Sequence, residues 1–102
     1  MSFVVDLDDF HPDGAVFIYG SDVSGRALRR ALAARGVETS AFLDSFQSGE
    51  ADGLIVLRFD HYLQVRDPTD IVLIASAAEA EISKSLEAHG IDRYFGAVQV
   101  EV

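Results

Sequence analysis

The sequence contains no cysteine and has few basic side chains. Without cysteine the chain can form neither disulfides nor thiolate metal sites, which suits a reducing cytoplasm. Eight lysines and arginines stand against 17 aspartates and glutamates, so the formal net charge is -9, and such a charge repels nucleic acids and anionic membranes. No apolar run approaches the roughly 18 residues of a membrane span. These absences predict a cytoplasmic protein that binds neither nucleic acid nor membrane.

What the chain does contain is sufficient for one folded domain. With 49% hydrophobic and 25% charged residues in a length of 102, the composition is that of a globular protein. The length is too short for a dinucleotide-binding half together with a separate catalytic domain. We therefore expect an N-terminal arm over residues 1–13, with Phe10 packed on the domain or on a neighbouring subunit, and a single domain over residues 14–102.

Apolar runs and helical patterns alternate along this domain. Short apolar segments bounded by glycine or polar residues predict buried strands, and the alternating Val98, Val100 and Val102 predict a half-exposed edge strand. Gly36 and Gly90 predict the ends of two longer helices. The predicted strands are 15–20, 37–44, 53–57, 70–76 and 94–102, and the predicted helices are 24–35, a short one at 59–66 and one after position 76. Residues 45–53 are expected to form a polar loop.

This order of elements predicts an α/β fold. Strand–helix–strand units with right-handed crossovers produce a mostly parallel sheet that helices cover on both sides. We predict a three-layer Rossmann-like (flavodoxin-like) architecture of about five strands in the order 3-2-1-4-5. The switch point, where such sheets bind ligands, then lies between the first and fourth strands.

The turn after the first strand, GSDVSG, matches part of the dinucleotide-binding pattern G-x-G-x-x-G. Gly20 and Gly25 occupy the first and third glycine positions, and Asp22 replaces the second. That second glycine normally lets a pyrophosphate approach the backbone. A carboxylate there repels a phosphate about 4 Å away by roughly 1 kcal/mol in water and about 4 kcal/mol at an effective dielectric constant near 20. Conventional phosphate binding is therefore disfavoured.

Three hypotheses for this turn stay open. In the favoured one, Asp22 accepts hydrogen bonds from the free N–H groups at the start of the helix and caps it. In the second, Arg26 reaches a phosphate from the first helical turn, and the turn holds an atypical nucleotide or nucleotide sugar. The alternative role for these arginines is an ion pair of Arg26 or Arg30 with Asp22. The third hypothesis is a conventional dinucleotide site with NAD as its cofactor. We favour no cofactor over either ligand.

The segment VFIYGSDVSGRALRRALAARGVETSAFLD, followed by GLIVL, DIVLIAS and LEAHGI, resembles the small Rossmann-like N-terminal domain of bacterial nucleotide-sugar O-acyltransferases and related sugar-modifying enzymes. The resemblance covers most of residues 14–95. It implies that Gly20 and Gly25 approach the phosphates of a uridine-linked sugar and that Asp44 lies near the nucleoside. Asp22 departs from the pattern. The hexapeptide-repeat domain that holds acetyl-CoA and the catalytic histidine in those enzymes is missing, so acyltransferase activity is not expected.

Two more polar residues follow predicted strands. Asp44 follows Gly20 at roughly the spacing at which a Rossmann acid meets a ribose hydroxyl. The alternative for Asp44, which we favour, is a solvated residue that begins a loop. Ser76 ends the fourth strand and faces the same crevice, but its spacing to Glu79 predicts a capping box at the start of the next helix.

No catalytic triad and no metal-ligand spacing stands out in the sequence. The pair Asp60-His61 beside Tyr62 is a weak acid–base candidate at the mouth of the crevice. The candidate ligand-binding residues are Gly20, Ser21, Asp22, Gly25, Arg26, Asp44 and Ser76. We favour a non-catalytic accessory or interaction domain that forms a homo-oligomer or binds a protein partner. The alternative is a nucleotide or nucleotide-sugar binding module that works with a separate sugar-modifying transferase.

Overall fold

The computed structural model of the protein describes residues 10–96. Within this range strands and helices alternate as predicted, with bounds that differ by a few residues. The elements are β1 (Val16–Tyr19), α1 (Val23–Ala34), β2 (Ala41–Asp44), β3 (Gly49–Ala51), β4 (Leu54–Arg58), α2 (Phe59–Val65), β5 (Ile71–Ile74), α3 (Glu79–Ala88) and β6 (Tyr94–Phe95). Phe10 is buried and packs edge to face on Phe95. Residues 1–9 of the predicted arm and the alternating valines after position 96 lie outside the described residues.

The strands form one mostly parallel sheet in the order β3-β4-β2-β1-β5-β6. All neighbouring strands are parallel except β3 and β4, which are antiparallel. The predicted order of five strands is therefore wrong at one edge, because residues 49–51, which were expected in a polar loop, add a sixth strand. The α/β class and the parallel character of the sheet are confirmed.

The turn between β3 and β4 explains this additional strand. Its two residues, Asp52 and Gly53, have φ angles of 55° and 77°, and a two-residue hairpin turn needs positive φ at these positions. The three residues of β3 are glycine, glutamate and alanine, none of which favours a strand. The dipeptide Asp-Gly was the signal for this hairpin, and the composition of β3 concealed it.

Buried side chains on the two faces of the sheet separate into two clusters, because successive residues of a strand point to opposite sides. On one face, Val16 and Ile18 of β1 pack with Leu28 and Leu32 of α1. On the other face, Tyr19 belongs to a cluster that contains buried residues of α2 and α3. Burial on both faces is the reason that β1 and β5 are continuous apolar runs.

Both longer helices end at the predicted glycines. The helix α1 is followed by Gly36, and α3 by Gly90. In each case the residue after the glycine donates its backbone N–H to a carbonyl oxygen in the last helical turn, at 2.9 Å. These bonds satisfy carbonyl groups that have no partner inside the helix, so each turn leads directly into the next part of the fold.

Candidate functional site

A cavity of about 540 Å³ opens at the carboxyl ends of β1, β2 and β5. Since β1 has β2 on one side and β5 on the other, the connections from these strands diverge there. Such a switch point is the usual ligand site of an α/β sheet. The predicted site residues that line this switch-point cavity are Gly20, Ser21, Asp22, Asp44 and Ser76.

The two glycines of the turn are required by packing. A Cβ added to Gly20, whose φ is 121°, would lie 2.5 Å from the carbonyl oxygen of Ala75, and one added to Gly25 would lie 1.8 Å from the carbonyl oxygen of Gly20. Real Cβ atoms essentially never approach another heavy atom within 3.0 Å. The contact of the turn with Ala75 after β5 accounts for Gly20, and the contact of α1 with the end of β1 accounts for Gly25, without any bound phosphate.

Asp22 does not cap α1 with its side chain. It is the residue that precedes the helix, with extended backbone angles, but its carboxylate accepts no hydrogen bond from the first helical N–H groups. Only its backbone carbonyl oxygen takes part, accepting the N–H of Arg26 at 3.0 Å. The prediction that Asp22 satisfies the helix start is therefore wrong, and its exposed carboxylate lies at the cavity instead.

The arginines of α1 do not pair with Asp22 within the described residues. Arg26 is half-buried, and its Nε atom has no hydrogen-bond partner there. Arg29 and Arg30 form ion pairs with Asp52 of the β3–β4 turn, at 3.2 and 2.7 Å. The hydrogen bond from Arg30 lowers the pKa of the Asp52 carboxyl below its usual value. These pairs tie the edge hairpin to α1.

Asp44 holds the loop that follows β2. Its Oδ1 atom accepts the backbone N–H groups of Phe46 and Gln47 at 2.9 and 3.0 Å. Its Oδ2 atom accepts a long hydrogen bond of 3.4 Å from the hydroxyl of Ser21. Asp44 thus connects the turn after β1 with the loop after β2, which form adjacent walls of the cavity.

Tyr19 and Ser45 connect the same two segments. Their hydroxyl oxygens are 2.7 Å apart and share a hydrogen bond. Burial raises the pKa of the Tyr19 phenol; the hydrogen bond with Ser45 lowers it, and the Asp44 carboxylate raises it. The phenol is therefore a neutral hydrogen-bonding group in the wall of the cavity.

Ser76 lies in the cavity but forms no capping box. The helix α3 begins at Glu79 after Ala78, two residues later than the predicted cap requires, and has no side-chain cap. The hydroxyl of Ser76 instead accepts the N–H of Ala78 at 3.2 Å. The prediction failed because a tight turn comes between the strand and the helix, so Glu79 occupies the first helical position.

Several cavity residues were not anticipated from the sequence, among them Phe46, Glu81 and Ser85. The positions of two of these residues in the chain could have indicated them. Phe46 follows the carboxyl end of β2, and Glu81 lies in the first turn of the helix after β5. Both positions face the strand ends of a parallel sheet, where binding residues collect.

The charged side chains that line the cavity are all hydrogen-bond acceptors. Three carboxylates line it, those of Asp22, Asp44 and Glu81, and among the described residues no lysine, arginine or histidine does so. Serine hydroxyls from both sides complete its polar lining. Such groups accept hydrogen bonds from a ligand's N–H or O–H groups.

The acid–base candidate pair, Asp60 and His61, lies outside the switch-point cavity. Asp60 and His61 line a separate depression beside β4, together with Ile55. Tyr62 is buried, and its hydroxyl donates to the carboxylate of Asp70 at 3.0 Å. Burial, together with the Asp70 carboxylate, raises the pKa of the Tyr62 phenol well above its usual value. The expected position of Asp60 and His61 at the mouth of the crevice is therefore wrong.

Residues 10–96 contain neither a cluster of metal ligands nor a helix long and apolar enough to cross a membrane. No group of three or more histidine, cysteine or acidic residues in this range is arranged to hold a metal ion. None of its helices combines the length and apolar character that a membrane crossing needs. Comparisons of the chain with protein-family models, with curated proteins and with solved structures gave no match.

Proposed function

We propose that this chain is a non-catalytic Rossmann-like accessory or interaction domain whose turn after β1 has lost conventional phosphate binding. One observation carries the proposal: the switch-point cavity is lined by three carboxylates and, within residues 10–96, by no basic side chain. Phosphate groups are normally held by basic side chains and free N–H groups. In this cavity a pyrophosphate meets like charge, at a cost of roughly 1 kcal/mol per pair about 4 Å apart in water and several times more in a drier site.

Further features support the same proposal. The glycines of the turn are explained by packing, so the partial match to the dinucleotide pattern requires no nucleotide. The proposed architecture is three-layered, which agrees with one buried cluster on each face of the sheet. The proposal includes the resemblance to the N-terminal domain of nucleotide-sugar O-acyltransferases. It also includes a cytoplasmic location. The lack of cysteine favours that location.

An NMR titration tests the loss of phosphate binding. The ¹⁵N-labelled full chain is titrated to millimolar concentrations with NAD, with UDP-N-acetylglucosamine and with coenzyme A. We expect no saturable shift at the amides of Gly20, Asp22, Gly25 and Asp44. Saturable shifts confined to these amides would contradict the proposal, and the ligand that causes them would identify the nucleotide class.

The alternative function, a nucleotide or nucleotide-sugar binding module for a separate transferase, is favoured by the uncapped start of α1. Because Asp22 does not cap this helix, its first N–H groups receive no hydrogen bond from that side chain. On this alternative, Asp22→Gly strengthens the binding of UDP-N-acetylglucosamine by about tenfold or more, since one like charge is removed. Arg26→Ala weakens it. Unchanged affinity in both variants excludes the turn as the site.

Self-association belongs to the main proposal. Large hydrophobic side chains with high exposure support it, namely those of Val23, Phe46, Ile55 and Val65. Surfaces of this kind commonly mark protein contacts when they are contiguous. Size-exclusion chromatography with light scattering is expected to show a dimer or a larger species, and a strict monomer at high concentration removes this part of the proposal.

A further inference from the structure

We propose that the switch-point cavity receives an arginine or lysine side chain from a protein partner, and that apolar residues flank this basic residue in the partner. The inference rests on the proposed function, because it names the kind of partner that the interaction domain binds. It is carried by three features that meet at one end of the sheet: an open cavity, carboxylates without an ion-pair partner in its wall, and the exposed aromatic ring of Phe46 beside them.

The carboxylates converge from separate parts of the chain. Asp22 precedes α1, Asp44 ends β2, and Glu81 lies in the first turn of α3. None of them forms an ion pair within residues 10–96. The Oδ2 atom of Asp44 has only the 3.4 Å hydrogen bond from Ser21. Guanidinium and ammonium groups are cations and pure donors, so they match carboxylates that have no ion-pair partner, whereas an anion does not.

One large apolar side chain in the lining of the cavity is exposed. Phe46 lines the cavity with 88% of its surface accessible. The backbone N–H of Phe46 is held by Asp44, so the aromatic ring stands on a fixed loop beside the carboxylates. An aromatic ring next to acidic groups attracts a cation through its π face and buries apolar surface when a partner covers it.

The exposed ring of Phe46 is the reason to choose a protein segment over a small amine. A polyamine neutralises the carboxylates but has no side chain to cover Phe46. A basic residue with apolar neighbours does both. The volume of about 540 Å³ also lies within the range of about 300–1,000 Å³ that is typical of binding clefts.

Two short peptides test the inference by NMR on the ¹⁵N-labelled full chain. Acetyl-Leu-Arg-Leu-amide carries the charge, and acetyl-Leu-citrulline-Leu-amide has nearly the same shape without it. We expect the arginine peptide to give saturable shifts at the amides of Ser21, Asp44 and Glu81, and the citrulline peptide to bind about tenfold more weakly or worse, since a charged hydrogen bond is lost.

Variants locate the contact. Glu81→Gln and Phe46→Ser are each expected to weaken the arginine peptide by about threefold to tenfold. Asp44→Asn retains an oxygen for the loop hydrogen bonds and is expected to weaken it similarly. The matched control is Glu38→Gln, because Glu38 is an exposed acid outside this cavity. Its affinity for the peptide is expected to stay unchanged.

Three results would overturn the inference: equal binding of the two peptides, an equal loss of affinity in Glu38→Gln and Glu81→Gln, or spermidine binding as tightly as the arginine peptide at the same amides. The titration with UDP-N-acetylglucosamine separates the two proposals. Saturable nucleotide binding contradicts the proposed function, whereas silence from both the nucleotide and the arginine peptide contradicts only this inference.

Discussion

Replacing Gly25 with alanine tests the close contact between α1 and β1. The new Cβ would lie 1.8 Å from the carbonyl oxygen of Gly20 and 2.8 Å from its carbonyl carbon, where 3.0 Å is the practical minimum. The obstructing atoms belong to the backbone and cannot rotate away. The helix therefore has to shift from the strand by about 1 Å or more, with a loss of contact for Leu28 and Leu32.

Two opposing effects determine the change in stability. Alanine favours a helix over glycine by about 1 kcal/mol. Overpacking at a buried position costs about 1–3 kcal/mol, and loosening the neighbouring core adds to this cost. We expect Gly25→Ala to lower the free energy of unfolding by about 1–3 kcal/mol, which corresponds to a decrease in Tm of roughly 5–20 °C for a chain of this size.

Urea unfolding followed by circular dichroism measures this change. Ser24→Ala is the matched control, because Ser24 is the exposed preceding residue of the same helix; its free energy of unfolding should change by less than about 0.5 kcal/mol. A Gly25→Ala variant that is as stable as the wild type, or more stable, would refute the reasoning, since helix propensity alone predicts that result.

Two further predictions concern hydrogen-bonded acids. Asp52→Asn retains a residue that tolerates positive φ but removes the charge that Arg29 and Arg30 bind, so we expect a lower Tm at neutral pH. Because Arg30 lowers the folded-state pKa of Asp52, this difference is complete above the unfolded pKa and disappears as the pH falls through the folded pKa, as thermal melts across that range should show. Tyr62→Phe removes the donor to buried Asp70 and should lower the free energy of unfolding in urea by about 1–3 kcal/mol. Burial raises the pKa of the Tyr62 phenol, so the stability it contributes is present below the unfolded pKa of tyrosine and is lost as the pH rises towards the folded value.

Each of these variants has a control. Asp92→Asn changes an exposed acid and should leave the Tm unchanged; if Asp52→Asn melts like Asp92→Asn at neutral pH, the ion pairs contribute nothing. Tyr19→Phe removes a hydroxyl that bonds to Ser45 in a partly buried place. If Tyr62→Phe costs no more than Tyr19→Phe, the argument from the buried Asp70 is wrong.

The predictions from sequence that were wrong share a cause, since each of them relied on a local residue pattern. The edge strand β3 has no strand-forming residue, and it exists because β4 offers hydrogen bonds and the turn at Asp52 reverses the chain. The capping box at Ser76 matched a local pattern, but the path from β5 to α3 delays the start of the helix by two residues. Asp22 had the residue type and position of a helix cap, yet its carboxylate faces the cavity. In each case the local residue pattern was not sufficient to determine the conformation.

The sequence by itself determined the α/β class, the mostly parallel sheet and the approximate limits of the helices. Apolar runs and the helix-ending glycines at positions 36 and 90 are local signals, because the conformational preferences that they express depend on residues that are neighbours in the chain. The sequence also predicted Asp22 and Asp44 as residues of one binding site, but only the tertiary structure decided that Glu81 lines the same cavity. These residues are far apart along the chain and meet because the carboxyl ends of parallel strands, and the helices that follow them, lie at the same edge of the sheet.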